Sequence, residues 1–534
     1  MASSMDVPTL PDQVREALRN LNCPVRLFGE NLANVRDRLR LEMARRKVYA
    51  EHYGVDTELL PEATTSSADA VPSSALAEAV QETQYSRASH ALFKAREKIA
   101  TFSLRKAHAR LQKEADLRAS YKALSKKRKG EEEADNNKAS ATATATATIA
   151  TQAAEETDQS CCQLYQSLQN ASLSGSQYGD SRPLSAIAAT NVGGSPCVLT
   201  ASWNATLQWW DGSTPMLTPW GKQTQAHEDR IMGIALHQTA GKKIMAGTAS
   251  IDLTGKLWTV QEKDDAEDQT MEDVQSSNVK QEKANKDDHE ENTKYTFKQV
   301  AHLKGHEARL CKVAFHPLGD LVATTSHDYT WRLWDIETCC NKGPDEKSEE
   351  LLLQDGHAEK VFGIDFHPDG SLCATTDYSG MVHVWDLRTG KTVMQYYGHA
   401  GRVLCAKFAP TNGFQMTTAG DDGCLKVWDL RHRRKSKKGA PEPRRTIPAH
   451  SKLITQLQYT PDDECLVSSS FDGSIKMWST RGDWRLLQTL EGHEGKVMGA
   501  DIVATFDAEK QDSRSASDWG VVSCGFDHTL KLWR

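Results

Sequence analysis

The sequence predicts an all-β, seven-bladed propeller, preceded by a small α-helical N-terminal region with flexible linkers. Three observations carry this. The segments ATLQWWD, LTGKLWT, YTWRLWD, GMVHVWD, GCLKVWD, GSIKMWS and HTLKLWR recur from Ala205 to the last residue. Their tryptophans, Trp210, Trp258, Trp334, Trp385, Trp428, Trp478 and Trp533, stand 43 to 55 residues apart, with one longer gap after Trp258. A fixed period of that size marks an array of repeated sheet units. Hydrophobic residues make up only 38% of the 534 and charged residues 26%, so a packed domain shares the chain with polar segments unable to bury a core.

The head comes first, residues 1–60. In DQVREALRNL, Val14, Leu18 and Leu21 fall on one side of a short amphipathic helix. Next is CPVRLFGEN, Cys23 to Asn31, read as an extended hinge: Pro24 disfavours helix at Cys23, and Gly29 permits a tight reversal. Asn31 is a plausible N-cap. Leu32, Val35, Leu39 and Met43 then form a stripe at helical spacing, with Arg36, Arg38, Arg40, Arg45 and Arg46 largely off it. A piece this small holds no core alone, so it is expected to fold against something else. Val25, Leu27, Phe28 and Gly29, with Arg36, Arg38 and Arg40, are the candidate partner- or RNA-binding residues. The arginines have two readings, a solvated helix face or a set of rigid donor forks for RNA phosphates or an acidic partner.

Residues 61–130 form a basic region, helical over 75–125 and ending in Lys126, Lys127, Arg128 and Lys129, candidates for a nuclear signal. Residues 131–162 contain KASATATATATIATQAAEETD and read as a low-complexity linker.

The propeller is placed at 163–534. Most repeats begin with Gly-His or Ala-His: His227, His306, His357, His399, His450 and His493. Six residues before each tryptophan stands a turn residue: Asn204, Asp252, Asp328, Ser379, Asp422, Asp472 and Asp527. Four residues earlier there is always a hydroxyl: Thr200, Thr248, Thr324, Thr375, Thr418, Ser468 and Ser523. This register resembles the buried His–Ser/Thr–Asp–Trp relay of the WD40 family, in which indole, imidazole and carboxylate satisfy one another. Typical sets are His306, Thr324, Asp328 and Trp334; His450, Ser468, Asp472 and Trp478; and His493, Ser523, Asp527 and Trp533. The first blade, with Asn204 and no obvious histidine, and the fourth, with Ser379, are expected to have incomplete relays. Histidines near Asp and Ser also invite Ser/His/Asp catalysis or metal ligation, but recurrence in blade after blade assigns them to holding turns.

The chain stops at Arg534, directly after the last tryptophan, so the seventh blade is expected to borrow its outer strand from Asn170–Pro183, with Ala171–Gly175 pairing beside Trp533. Two insertions interrupt the ring: an acidic one at 261–294, expected to be disordered, and the basic, proline-broken RHRRKSKKGAPEPRR at 431–445. The basic one suits phosphates, a nuclear signal or a solvated loop.

The net charge of -7 hides an asymmetry, with 83–130 strongly basic and 261–294 acidic, which suits a protein bridging partners. The twelve cysteines show no C-x-x-C and no zinc-finger spacing, and read as reduced thiols with no metal. No apolar run approaches the ~20 residues of a membrane helix, so a soluble, intracellular protein is expected. No Gly-rich phosphate loop or G-x-S-x-G elbow appears, which argues against an enzyme.

A leucine-bearing helix, PVRLFGE, and the arginine-alternating VRDRLRLEMAR resemble the splicing-factor motif shared by pre-mRNA-processing factors 4 and 18. Ahead of a WD40 propeller, and with SQYGDSRPLS at the entry to the ring, the combination resembles the factor 4 family, the WD40 subunit of the U4/U6 small nuclear ribonucleoprotein (snRNP). That resemblance implies a nuclear, non-enzymatic scaffold of the U4/U6 snRNP and U4/U6·U5 tri-snRNP, acting in spliceosome assembly without a cofactor. Its implied partners are a pre-mRNA-processing factor 3-like subunit, the U4/U6 snRNA, other tri-snRNP proteins and a cyclophilin docking on the N-terminal region. The rivals are a WD40 substrate receptor of a ubiquitin ligase and a ribosome-assembly WD40 scaffold.

Overall fold

The computed structural model describes residues 7–8, 11–21, 32–53, 89–133, 165, 169, 171–192, 195–214, 216–238, 244–262, 295–343, 348–431, 442–480, 484–505 and 518–534. Val25, Leu27, Phe28 and Gly29, most of the 131–162 linker, acidic residues 263–294 and basic residues 432–441 lie outside them.

Seven four-stranded antiparallel sheets form a ring. Their strands are numbered β1 (Leu173–Tyr178) to β28 (Thr529–Trp533) in chain order. In every blade the first strand lines the centre, the tryptophan closes the third, and the fourth lies outermost. Burial follows that order. The second strand of blade 3, LVATTS, is buried at every position, whereas the outer strand of blade 4, KTVMQYY, is largely exposed or half-buried. Apolar residues accordingly fill the spaces between neighbouring sheets: one layer joins Leu333 and Trp331 of blade 3 to Phe366 and Trp385 of blade 4.

The ring closes as the missing outer strand requires. β1 pairs antiparallel with β28, Leu173 opposite Trp533 and Tyr178 opposite Thr529, giving the order β1-β28-β27-β26, where β26 is Val497–Thr505 and β27 is Asp518–Gly525. Ser172 and Arg534 exchange two further backbone bonds of 2.7 and 3.0 Å. The ladder thus runs Ser172–Tyr178, further along the chain than the predicted Ala171–Gly175, and Ala171 is instead buried in the layer between blades 6 and 7. Joining the two ends of the domain in one sheet leaves blade 7 with no unpaired edge on that side.

The acidic insertion enters blade 2 between β8 (Thr254–Glu262) and β9 (Tyr295–Lys304), whose ladder reaches Glu262 opposite Tyr295. Both ends of the basic insertion belong to blade 5: Arg431 follows its third strand and Arg445 begins its fourth.

Among the described residues three helices precede the ring: α1 (Pro11–Asn20), α2 (Leu32–Tyr53) and α3 (His90–Glu133). A short α4 (Ile336–Lys342) follows Trp334, N-capped by Asp335. Lys126, Lys127, Arg128 and Lys129 fall within the last turns of α3. The predicted stripes of the head meet: Val14 and Leu18 of α1 and Val35 and Leu39 of α2 are buried together, with Leu21 and Met43 beside them. This core holds only a few side chains, so the pair also leans on the propeller.

Candidate functional site

Six complete relays sit at one face of the ring. In blade 3, Nδ1–H of His306 donates to Asp328 at 2.8 Å, Nε2 meets the Thr324 hydroxyl at 2.8 Å, and the Trp334 indole donates to that hydroxyl at 2.9 Å. Blade 6 joins His450, Asp472, Ser468 and Trp478 at 2.8 to 3.0 Å, and blade 7 joins His493, Asp527, Ser523 and Trp533 at 2.8 to 2.9 Å. Blades 2 and 5 repeat the set around His227 and His399. Burial holds His227, His306 and His450 below the ordinary imidazole range despite their carboxylate neighbours. Burial pulls the carboxyls up, but bonds from hydroxyls, backbone amides and histidine outweigh it: Asp472 falls to about 2. In blades 2, 3 and 6 the relays are thus neutral imidazoles beside ionised aspartates, and in all six both ring nitrogens are bonded within the blade.

The fourth blade corrects the sequence-based expectation of an incomplete relay. His357 donates to Asp377 at 3.0 Å and meets Thr375 at 2.7 Å, and Trp385 donates to Thr375 at 2.8 Å. Asp377 stands two positions before Ser379, which donates to it at 2.7 Å. Blades 2, 3 and 6 read Ser-x-Asp here (Ser250 and Asp252, Ser326 and Asp328, Ser470 and Asp472) and blade 4 reads Asp-x-Ser. The first position closes the strand and the second lies in the turn that follows; both border the relay histidine, so exchanging the two keeps the carboxylate within reach of His357. In blade 1, as expected, no histidine joins: Trp210 donates to Thr200 at 2.8 Å. A buried Asp180 accepts from Ser202 at 2.5 Å and from Thr206, tying the entry segment under the turn that holds Asn204.

His357, Asp377 and His383 place their ligand atoms within 4.8 Å of one another. In blades 2 and 6 the position of His383 is a lysine, Lys256 or Lys476, reaching the carbonyl ahead of the relay histidine at 2.7 and 2.6 Å. His383 instead stacks on Trp385, with its ring centroid 4.4 Å from that of His357. Because both nitrogens of His357 are already bonded, this trio reads as packing within the relay.

Two helices lie against the ring. α1 lies at the relay face, with Arg15 and Arg19 at 3.7 and 3.8 Å from Asp355 and the Arg19 guanidinium 4.7 Å from the Tyr329 ring. Burial pushes Asp355 up to about 6, with Arg19 and Arg15 pulling the other way. The candidate arginines differ in what they touch. Arg36 donates to the Val7 carbonyl at 3.3 Å and Arg40 pairs with Asp37 at 2.8 Å; Arg36, Arg38 and Arg40 are all half-buried. Only part of each fork is therefore open to a partner.

α3 crosses the opposite face, over the turns between first and second strands of blades 3 to 5. Leu92 and Ile99 join the layer between blades 3 and 4. Arg110 grips Asp369 through Nε at 3.0 Å and Nη2 at 2.5 Å, and lies 4.3 Å over the Phe414 ring. Arg431, the first residue of the basic insertion, covers Phe414 at 4.5 Å and reaches Glu114 at 3.5 Å. The helix comes this close because Gly370 and Gly413 hold positive φ; a Cβ at Gly413 would meet Arg110 at 2.9 Å. The basic helix is legible in the sequence but this docking is not, because its signals, Asp369 and Phe414, belong to separate repeats.

Comparison with known proteins gives these surfaces a context. The family described as WD domain, G-beta repeat matches residues 297–335, 349–386, 390–429, 441–479 and 484–534. Blade 1, without its histidine, and the first three strands of blade 2, cut off from the fourth by the acidic insertion, fall outside those matches. The family described as pre-mRNA processing factor 4 (PRP4) like matches residues 14–41. The chain has the PRP4 architecture. The PRP4-like stretch runs from Val14 of α1 through residues 25–29, which lie outside the described residues, into α2, and takes in Arg36, Arg38 and Arg40.

Among curated relatives, the ribosome biogenesis protein WDR12 homolog of Anopheles gambiae is 28% identical over 221 residues, 39% of this chain and 50% of that protein. Pre-mRNA-processing factor 19 homolog 2 of Arabidopsis thaliana is 26% identical over 197 residues, 36% of this chain and 33% of that protein. Apoptotic protease-activating factor 1 of Mus musculus is 30% identical over 237 residues, 44% of this chain and 16% of that protein. The chain spans about half the length of the WDR12 relatives and less of the other two. Names this diverse reflect a shared repeat, and a WD40 propeller is typically a non-enzymatic scaffold. The PRP4-like head adds the splicing-factor character.

Proposed function

We propose that this protein is a non-enzymatic scaffold subunit of the U4/U6 snRNP and the U4/U6·U5 tri-snRNP, acting in the nucleus in spliceosome assembly. One observation carries the proposal: a PRP4-like motif at 14–41 stands ahead of a WD40 propeller in the same chain. The mechanism is tethering. The head and basic helices engage the U4/U6 snRNA and a pre-mRNA-processing factor 3-like subunit, the N-terminal region receives a cyclophilin, and the propeller offers rigid faces to other tri-snRNP proteins. The docked helices support this, since α1 and α3 occupy opposite faces of the ring and fix the orientation of anything bound to them.

Purifying a tagged chain at moderate salt and sequencing the attached RNA tests this. U4 and U6 RNA are expected, and their loss in the Phe28→Ala and Arg36→Glu/Arg40→Glu variants would assign the contact to the head. Similarity to WDR12 homologues favours a ribosome-assembly scaffold as the second reading; recovery of pre-ribosomal RNA instead of U4 and U6 would select it. Ubiquitylated proteins with neither RNA would point to the ubiquitin-ligase alternative.

A further inference from the structure

α3 has two apolar faces, and the propeller uses one. Leu92, Ala95, Ile99 and Ser103 are buried against the ring. On another side, Phe93, Leu104 and Leu111 are 62%, 63% and 51% exposed, an unusual cost for three large apolar side chains on one short stretch of helix. Phe93, Glu97, Ala100, Leu104, Ala107 and Leu111 follow one another at spacings of 4, 3, 4, 3 and 4, the 3.5-residue repeat of a seam that accepts another helix. Ala100 and Ala107 at alternate positions let a second backbone approach closely, while the larger residues fill its grooves. Arg110, held on Asp369 and Phe414, sets the rotation of α3 and so keeps this seam turned away from the ring.

The charge around the seam narrows the occupant. Between His90 and Arg118 there are eight Lys and Arg against three Asp and Glu, and Lys94 and Arg105 beside the seam are exposed. A second copy of the chain would bring the same positive flanks into contact, and an RNA backbone would leave Phe93, Leu104 and Leu111 in water. We infer that the exposed seam of α3 docks an amphipathic helix of a partner protein, apolar on one stripe and acidic along its flanks. This goes beyond the scaffold assignment and does not depend on which RNA the particle contains.

A labelled synthetic 28-residue helix, with Leu and Ala alternating along its seam and Glu on the flanks, titrated with the full chain in fluorescence anisotropy, provides the test. Saturable binding is expected, weakened at least tenfold by Leu104→Glu/Leu111→Glu, by replacing the flanking Glu with Lys, or by deleting the seam leucines of the peptide. Both substitutions are at exposed positions, so the melting temperature should stay unchanged. Undetectable binding by the wild-type chain, equal binding by the double variant, or equal binding of the Lys-flanked peptide would overturn the inference. A concentration-dependent dimer abolished by the double variant would assign the seam to a second copy. A cross-link from position 104 to residues 54–88 of the same chain would assign it to an internal segment; either result overturns the inference too.

Discussion

Asp377→Ala should be among the most damaging single substitutions in blade 4. The carboxylate accepts from His357 Nδ1 at 3.0 Å, from the Ser379 amide at 3.0 Å and hydroxyl at 2.7 Å, and from the Met381 amide at 3.0 Å. Its removal leaves a fully buried imidazole donor and two turn amides short of an acceptor. A stranded buried donor costs about 1–3 kcal/mol, and bonds to a charged acceptor are at the upper end; allowing for water entering the turn, about 3 kcal/mol is a fair sum. At roughly 2 cal/mol/K of unfolding entropy per residue, a ring of this size loses about 4 °C of melting temperature. Ser379→Ala removes one hydroxyl donor and leaves the relay whole, so about 1 kcal/mol and a fall of ~1 °C are expected. Scanning calorimetry of the three full-length proteins at one scan rate is the assay. Equal shifts, or a larger one for Ser379→Ala, would refute the assignment of Asp377 as the relay carboxylate.

Deleting residues 1–180 removes β1 and Asp180 together; the truncated ring should aggregate, and a soluble product with an unchanged melting curve would count against closure by this strand. Arg110→Ala strands the buried Asp369 carboxylate and should cost about 3 kcal/mol, while exposing α3 to limited proteolysis that the wild type resists. In acid, the lowered carboxyls of Asp472 and its counterparts mean stability that is present above about pH 4 and lost as pH falls through the folded value, near 2 for Asp472. Asp355 has the opposite sign: its carboxyl is raised to about 6, so its contribution is present below about pH 4 and lost as pH rises through 6. The melting difference between Asp355→Asn and wild type should therefore grow in favour of the variant from pH 4 to pH 7.

Periodicity made the ring legible. Trp and Ser/Thr recur in step in all seven blades and a histidine in six, because each blade must satisfy the same buried indole, so one physical requirement is written again and again along the chain. The apolar stripes of α1 and α2 were legible for a similar reason: Val14, Leu18, Val35 and Leu39 obey helical spacing whatever they pack against. The borrowed strand followed from counting strands after Trp533. Sequence register misled where two positions could trade roles, at Asp377 and Ser379, since a carboxylate needs only reach, and at the borrowed strand, where Ala171 packs between blades instead of joining the ladder.

The placement of α3 was decided by tertiary structure. Its docking depends on Asp320, Asp369, Phe414 and Arg431, contributed by turns of three different blades, and such residues come together only after the ring has closed. The same holds for Asp355, where burial between α1 and the ring, and not any neighbour in sequence, raises the carboxyl. Local spacing determines which faces of a chain are apolar or charged. Which of those faces is covered and which remains open, as on α3, is set by long-range packing.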